Sequence, residues 1–130
     1  MAIDVQLPKF NIILFVKPVS NDRCDYENTN AYRKRHDFTL DLLARKGGVY
    51  FLLDDSGLLY IGRSNNIRHR ISEHLRGQSV TIKKHRCRIT RIAVIYEEEQ
   101  YKQEIYESYA IRRFVPKYNA DKKDGGAVGA

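Results

Sequence analysis

Short apolar runs alternate with polar punctuation along this chain, and their spacing predicts seven elements of mixed type. Phe10 to Val16 (FNIILFV) is a continuous apolar run of strand length, ended by Pro18 and the polar Ser20-Asn21-Asp22. Ala31 to Lys46 has helical composition, with Phe38, Leu42 and Leu43 as a short stripe that Gly47-Gly48 would close as a C-cap. Gly48 to Leu53 and Leu58 to Gly62 are β-rich and flank Asp54-Asp55-Ser56-Gly57, which predicts a hairpin. A three-residue loop with Gly57 left-handed in a bulge would set Asp54 opposite Leu58, Leu52 opposite Tyr60 and Tyr50 opposite Gly62. Tyr50 and Tyr60 then share a face, whereas a two-residue loop would put them on opposite faces.

Ser64 or one of the two following asparagines can cap the next helix, which runs to about Arg76 with the stripe Ile67, Ile71, Leu75. Arg70 and His74 lie on one edge of that stripe, at the border between core and solvent. Ile89 to Tyr96 reads as a central strand, apolar on both faces. Glu97 to Glu99 start a last helix that reaches about Phe114 and is followed by Pro116. The tail from Asp121 to Ala130 reads as mobile. The order (βα)-β-β-α-β-α predicts a small mixed α/β (α+β) domain with a central, mostly antiparallel three-stranded sheet flanked by helices. Residues 1–46 form a strand-helix extension, 47–121 the domain itself and 122–130 the tail.

One hundred and thirty residues, 42% of them hydrophobic, can fill one core. No apolar run approaches the roughly 18–20 residues of a membrane span, and 30% charged residues exclude a membrane protein. The N-terminal MAIDVQLPKF has no export-signal pattern, which implies a cytoplasmic location. Cys24 and Cys87 are distant and in no CxxC pattern, so neither a disulfide framework nor a zinc site is expected.

Charge narrows the partners. The chain carries a formal +7, and Arg63 to Arg91 holds nine bases against the single acid Glu73, a net of +8. Such a stretch attracts a polyanion and displaces the counterions condensed on nucleic acid. The alternative is a solvated basic face.

Gly48-Val49-Tyr50 and Tyr60-Ile61-Gly62 are ten residues apart. Arg70 follows Gly62 by eight residues and His74 by four more. Glu107 stands nine residues ahead of the Pro116-Lys117-Tyr118-Asn119 segment. Together these resemble the paired signature, helix arginine and metal-binding glutamate of the GIY-YIG nuclease family, over about Gly47 to Asp121. Within it the chain is similar to the nuclease domain of excision-repair incision subunits and to homing-endonuclease catalytic domains. The resemblance implies a metal-dependent DNA endonuclease that leaves 5′-phosphate and 3′-hydroxyl ends.

It also implies roles. Tyr50 would be the base or its orienter, and its hydroxyl is a poor base until cations lower its pKa. Arg70 would grip phosphate with a rigid fork that lysine lacks. Glu107 would hold one Mg²⁺ or Mn²⁺, hard ions that prefer carboxylate and water oxygens. Tyr60 would hydrogen-bond within the site, and His74 would donate to Tyr50 or a phosphate. Arg63 is a second phosphate clamp. By charge, Arg68, Lys83, Lys84 and Arg86 are read as further contacts along the nucleic acid, and the resemblance makes Gly48, Gly62 and Asn119 supports of the site.

Taken singly, each residue has a plainer reading: strand tyrosines, a solvated helix edge, a surface glutamate. In register with the motif those readings recede. Two rivals stay open: a catalytically quiet nucleic-acid-binding module, and a subunit that cuts only when a partner delivers DNA. The DNA, double-stranded or branched, and its setting in repair, recombination, mobile elements or restriction are open too, as is targeting by a protein partner or a homodimer.

Overall fold

A computed structural model of the protein describes residues 6–16, 40–76 and 88–119. Its elements are β1 (Ile12–Phe15), β2 (Gly48–Asp54), β3 (Gly57–Ser64), α1 (Ile67–Arg76), β4 (Arg91–Tyr96) and α2 (Gln100–Phe114). The strands form one antiparallel sheet in the order β1-β4-β2-β3. The expected three-stranded sheet is present as β4-β2-β3, and β1, from the segment read as an extension, adds a fourth strand. Register is set by burial on both faces: Tyr50, Leu52, Ile92 and Val94 point to one side, and Val49, Phe51, Ala93 and Ile95 to the other.

Helix α1 covers the first face. Ile67, Ile71 and Leu75 are fully buried among Leu52, Leu59 and Ile92, each contributing roughly 1.5–3 kcal/mol by leaving water. Asn66 caps this helix, its Oδ1 accepting from the His69 N–H at 3.1 Å. Helix α2 lies on the second face, with Ala110 packed beside Val49, Phe51 and Ile61. It sits over β2 and β3. That placement corrects the reading of β1 as a buried strand. Leu14 faces the covered side, but Ile13 and Phe15 project where no described helix lies and are 53% and 79% exposed.

The predicted helix over Ala31 to Lys46 lies mostly outside the described residues. Its described end is helical at Leu40 and Asp41 only, and Leu43 donates back to the Leu40 carbonyl in a turn (3.1 Å). Gly48 therefore starts β2, with Gly47 just ahead of it, rather than the pair capping a helix. A Cβ on Gly48 would overlap the Ile95 backbone across the sheet, which explains glycine there.

The hairpin tip differs from expectation in an instructive way. Asp54 pairs with Gly57 and Leu53 with Leu58, around a two-residue turn of Asp55-Ser56. The Asp54 carboxylate accepts from the backbone N–H groups of Ser56 and Gly57 (2.8 and 2.9 Å), which holds the turn tight. Gly57 adopts φ +143°, a conformation open to glycine. By itself this turn would put Tyr50 and Tyr60 on opposite faces. A bulge restores the parity: Leu52 pairs with Tyr60, so Leu59 is passed over. Leu59 and Tyr60 both enter the core under α1, and the tyrosines share that face.

The bulge carbonyl is not wasted. Helix α2 ends at Val115, left-handed at φ 46° and ψ 68°, and Pro116 redirects the chain. The next residues run along the outer edge of β3. The backbone N–H groups of Lys117 and Tyr118 donate to the carbonyls of Leu58 (3.2 Å) and Leu59 (2.8 Å). Asn119, almost fully buried, accepts from the Ile61 N–H at 2.7 Å and donates to the Ile61 carbonyl at 2.8 Å.

Candidate active site

The shared face brings three rings together. Tyr50 and Tyr60 lie 6.2 Å apart between centroids, and His74 lies 5.3 Å from the first and 5.4 Å from the second. The Tyr50 hydroxyl and His74 Nε2 are 2.7 Å apart in a buried hydrogen bond. His74 was expected at the border of the core. It is fully buried, because the two tyrosines across the sheet close over it. Burial pushes the Tyr50 hydroxyl above its ordinary value of 10.0, with Tyr60 adding to the rise, while Arg70 opposes it through its charge and a hydrogen bond. An arginine can only donate, so the Tyr50 oxygen accepts from Arg70, and the histidine tautomer sets the direction of the Tyr50–His74 bond.

Arg70 extends from α1 at the margin of this cluster, partly exposed. Burial works against its charge, yet Tyr50 and Glu73 hold its pKa above the ordinary value. Glu73, one turn on, lies 3.4 Å from the guanidinium and fixes its direction.

Glu107 comes from the opposite layer. It hangs from α2 at the rim with a side chain 15% exposed, and its charge is felt at the Tyr50 hydroxyl. The link between the layers is Gly62, which pairs across the sheet with Tyr50. A Cβ there would overlap the Tyr50 hydroxyl and the ring carbon that bears it. Having none, the ring lies across β3. The site therefore straddles the outer edge of the sheet, with Arg70 and His74 on one side and Glu107 on the other.

Arg63 follows Gly62 and points to the α2 side. Its Nε is 3.8 Å from the Glu107 carboxylate, and its terminal nitrogen 3.2 Å from Glu104. Arg68, predicted as a nucleic-acid contact, lies on the other side of α1 and pairs with Asp41 at 2.8 Å. Lys83, Lys84 and Arg86 lie outside the described residues. Asn119 pins the C-terminal segment to Ile61, between Tyr60 and Gly62.

Sequence reading missed three supports. Glu73 and Glu104 aim the two arginines. Gln103, fully buried, donates from Nε2 to the Glu97 carbonyl at 2.7 Å and packs on Gly47, anchoring the start of α2 one turn before Glu107. Its spacing of four from Glu107 was the available signal.

Among the described residues no three His, Cys, Asp or Glu side chains gather as a closed metal cage. A single rim carboxylate, partly exposed beside Arg63, suits Mg²⁺ or Mn²⁺, which keep several waters and take one or two carboxylates. The donor set fits such an ion.

A small antiparallel sheet with a helix on each face and a tyrosine, histidine, arginine and glutamate cluster at its edge defines a nuclease domain. Family comparison makes this specific: residues 46–119 match the GIY-YIG catalytic domain, and the chain belongs to that family. YurQ of Bacillus subtilis (strain 168) is 35% identical over 78 residues, 59% of this chain and 63% of that protein. UvrABC system protein C of Chlamydia abortus is 36% identical over 95 residues, 68% of this chain but 15% of that protein. The chain thus spans less than two thirds of these relatives. Among solved structures, the GIY-YIG N-terminal endonuclease domain of UvrC from Thermotoga maritima, bound to magnesium, superposes with a TM-score of 0.58 at 21% identity, over 66% of this chain and 97% of that one. A point-mutant form bound to its catalytic divalent cation gives 0.58 over 66% and 96%.

Proposed function

We propose that the protein is a metal-dependent DNA endonuclease that opens one strand per catalytic event. The observation that carries this reading is the buried 2.7 Å bond between the Tyr50 hydroxyl and His74 Nε2, with Arg70 directed at the same oxygen. A phenol held protonated by burial is not a stored base. It works as a relay: Tyr50 takes a proton from the attacking water as its own passes to His74 Nε2. Water oxygen bonds to phosphorus, the bond to the 3′ oxygen breaks, and that oxygen leaves with a proton from solvent. The products are a 5′-phosphate and a 3′-hydroxyl.

Arg70 grips the non-bridging oxygens with paired donors and counters the charge that builds there. Arg63, aimed by Glu104, holds a neighbouring phosphate. Glu107 would hold one Mg²⁺ or Mn²⁺, which when bound supplies Lewis-acid stabilisation of the phosphate and the departing oxygen. A metal, a relay and an arginine fork at one sheet edge serve a hydrolase better than a passive binding module.

Supercoiled plasmid incubated with Mg²⁺, with Mn²⁺ and with EDTA, beside Glu107→Gln, tests this. Metal-dependent nicking that the variant lacks, with DNA affinity preserved, is the expected result. A folded, DNA-binding wild type that cuts neither plasmid nor branched DNA would overturn it. One observation favours a second reading: the relatives named UvrABC system protein C hold this stretch as about 15% of their length, which supports a nuclease directed to its DNA by a partner.

A further inference from the structure

Helix α2 turns its inner face to the sheet and the site, and its outer face is open among the described residues. Tyr101, Ile105, Ser108 and Arg112 run along that face at spacings of four, three and four, the seam of a helix that pairs with another helix. Tyr101 is 60% and Ile105 46% exposed, and the face carries a shallow groove of about 710 Å³ that Glu104 and Arg113 flank. Charge is split along its length. Glu97, Glu98, Glu99 and Glu104 lie at or near the start, facing Lys102 on the helix and Arg63 of β3, which pairs with Glu104, while Arg112, Arg113 and Lys117 lie at the end.

That polarity selects the occupant. A nucleic acid would meet Glu104 in the groove and the Glu97 to Glu99 run beyond its start. A second copy lying antiparallel would meet the opposite charge at both ends. We propose that α2 is the seam of a two-fold homodimer in which two copies of this helix pack antiparallel. Tyr101 then stacks on Arg112 of the partner subunit, and Ile105 fits over Ser108 of the partner subunit. Glu104 lies about 4.5 Å along the axis from that arginine, within its reach. The two sites so joined give the enzyme one active centre per DNA strand. A 15-residue helix pair with its flanks falls at or below the lower end of stable interfaces, so the dimer is weak and reversible.

The test is sedimentation of the full chain over a concentration series to about 300 µM, where weak dimers populate. The readout is mass, so it stands or falls independently of the nuclease reading. Wild type should shift from 15.2 kDa toward twice that mass. Ile105→Glu, at an exposed position, should stay monomeric with an unchanged circular dichroism spectrum. Arg112→Glu should weaken the dimer about tenfold, and Glu104→Arg added to it should restore affinity, the size of coupling expected of facing charges. A wild type that stays monomeric throughout, an Ile105→Glu protein that dimerises as tightly as wild type, or a double reversal no better than Arg112→Glu would each overturn the proposal.

Discussion

Gly62→Ala is a direct probe of how the site is built, because a single methyl group enters at the one point where the layers meet. The added Cβ would overlap the Tyr50 hydroxyl and the ring carbon bearing it. Tyr50 is 1% exposed and packed by Tyr60 and His74, so its ring cannot swing into solvent. The hydroxyl must retreat by about 1 Å, a misplacement that can cost a reaction about 100-fold in rate, or roughly 2.7 kcal/mol of barrier. Overpacking a filled core adds about 1–3 kcal/mol of instability. The assay is plasmid nicking with Mg²⁺ under single-turnover conditions, with thermal melting and DNA affinity measured alongside. A folded variant that binds DNA normally and cuts about a hundredth as fast is the expected outcome. Gly48→Ala is the informative contrast: its Cβ meets the Ile95 backbone rather than a side chain of the site, so it should lose folding before it loses chemistry. Near-normal turnover in Gly62→Ala would refute the placement of Tyr50 at the reacting centre.

Tyr50 is held protonated in the fold above the pH at which an unfolded tyrosine ionises, so its contribution is complete below about pH 10 and is lost as pH rises further. Wild-type stability should therefore fall above pH 10 more steeply than that of Tyr50→Phe, by at most about 1.4 kcal/mol per pH unit, measured by denaturant titration at pH 9–11.5. Val115→Gly removes a β-branched residue from the left-handed region at a position 75% exposed, and should raise stability by about 1 kcal/mol, or about 3–5 °C of Tm. Asn119→Ala leaves both backbone groups of Ile61 without their partner and should cost about 2–4 kcal/mol in chemical denaturation.

Much of the fold was legible because local pattern and local structure agreed. The stripe Ile67, Ile71, Leu75 is the buried face of α1, and Ile89 to Tyr96 contains the central strand β4. What escaped depends on contacts between distant parts of the chain. The apolar run around Ile12 announces a strand, but nothing in it says that its partner is β4 or that Phe15 lies beyond the cover of α2. The shared face of Tyr50 and Tyr60 was predicted through a three-residue turn, and the molecule reaches the same parity with a shorter turn and a bulge at Leu59. His74 looked like an edge residue on the helical wheel, since the wheel carries no record of the tyrosines that cover it. Motif spacing singled out Tyr50, Arg70 and Glu107 as candidates. It could not show that Glu107 approaches from the opposite layer, nor that Glu104 steers Arg63 across 41 residues of sequence.

The stitching of Lys117 to Asn119 along β3 has a consequence for the order in which a growing chain can become competent. Asn119 is 58 residues downstream of Ile61, the strand residue it secures. At a ribosome's pace of about 5–20 residues per second, the strand that carries Tyr60 and Gly62 waits about 3–12 s for that stitch. Through that interval its outer rim is bare, and Glu107 itself arrives only twelve residues before the seal. Competence is gated by chain completion through Asn119: a nascent fragment carries both signature triplets long before it holds a closed cutting edge.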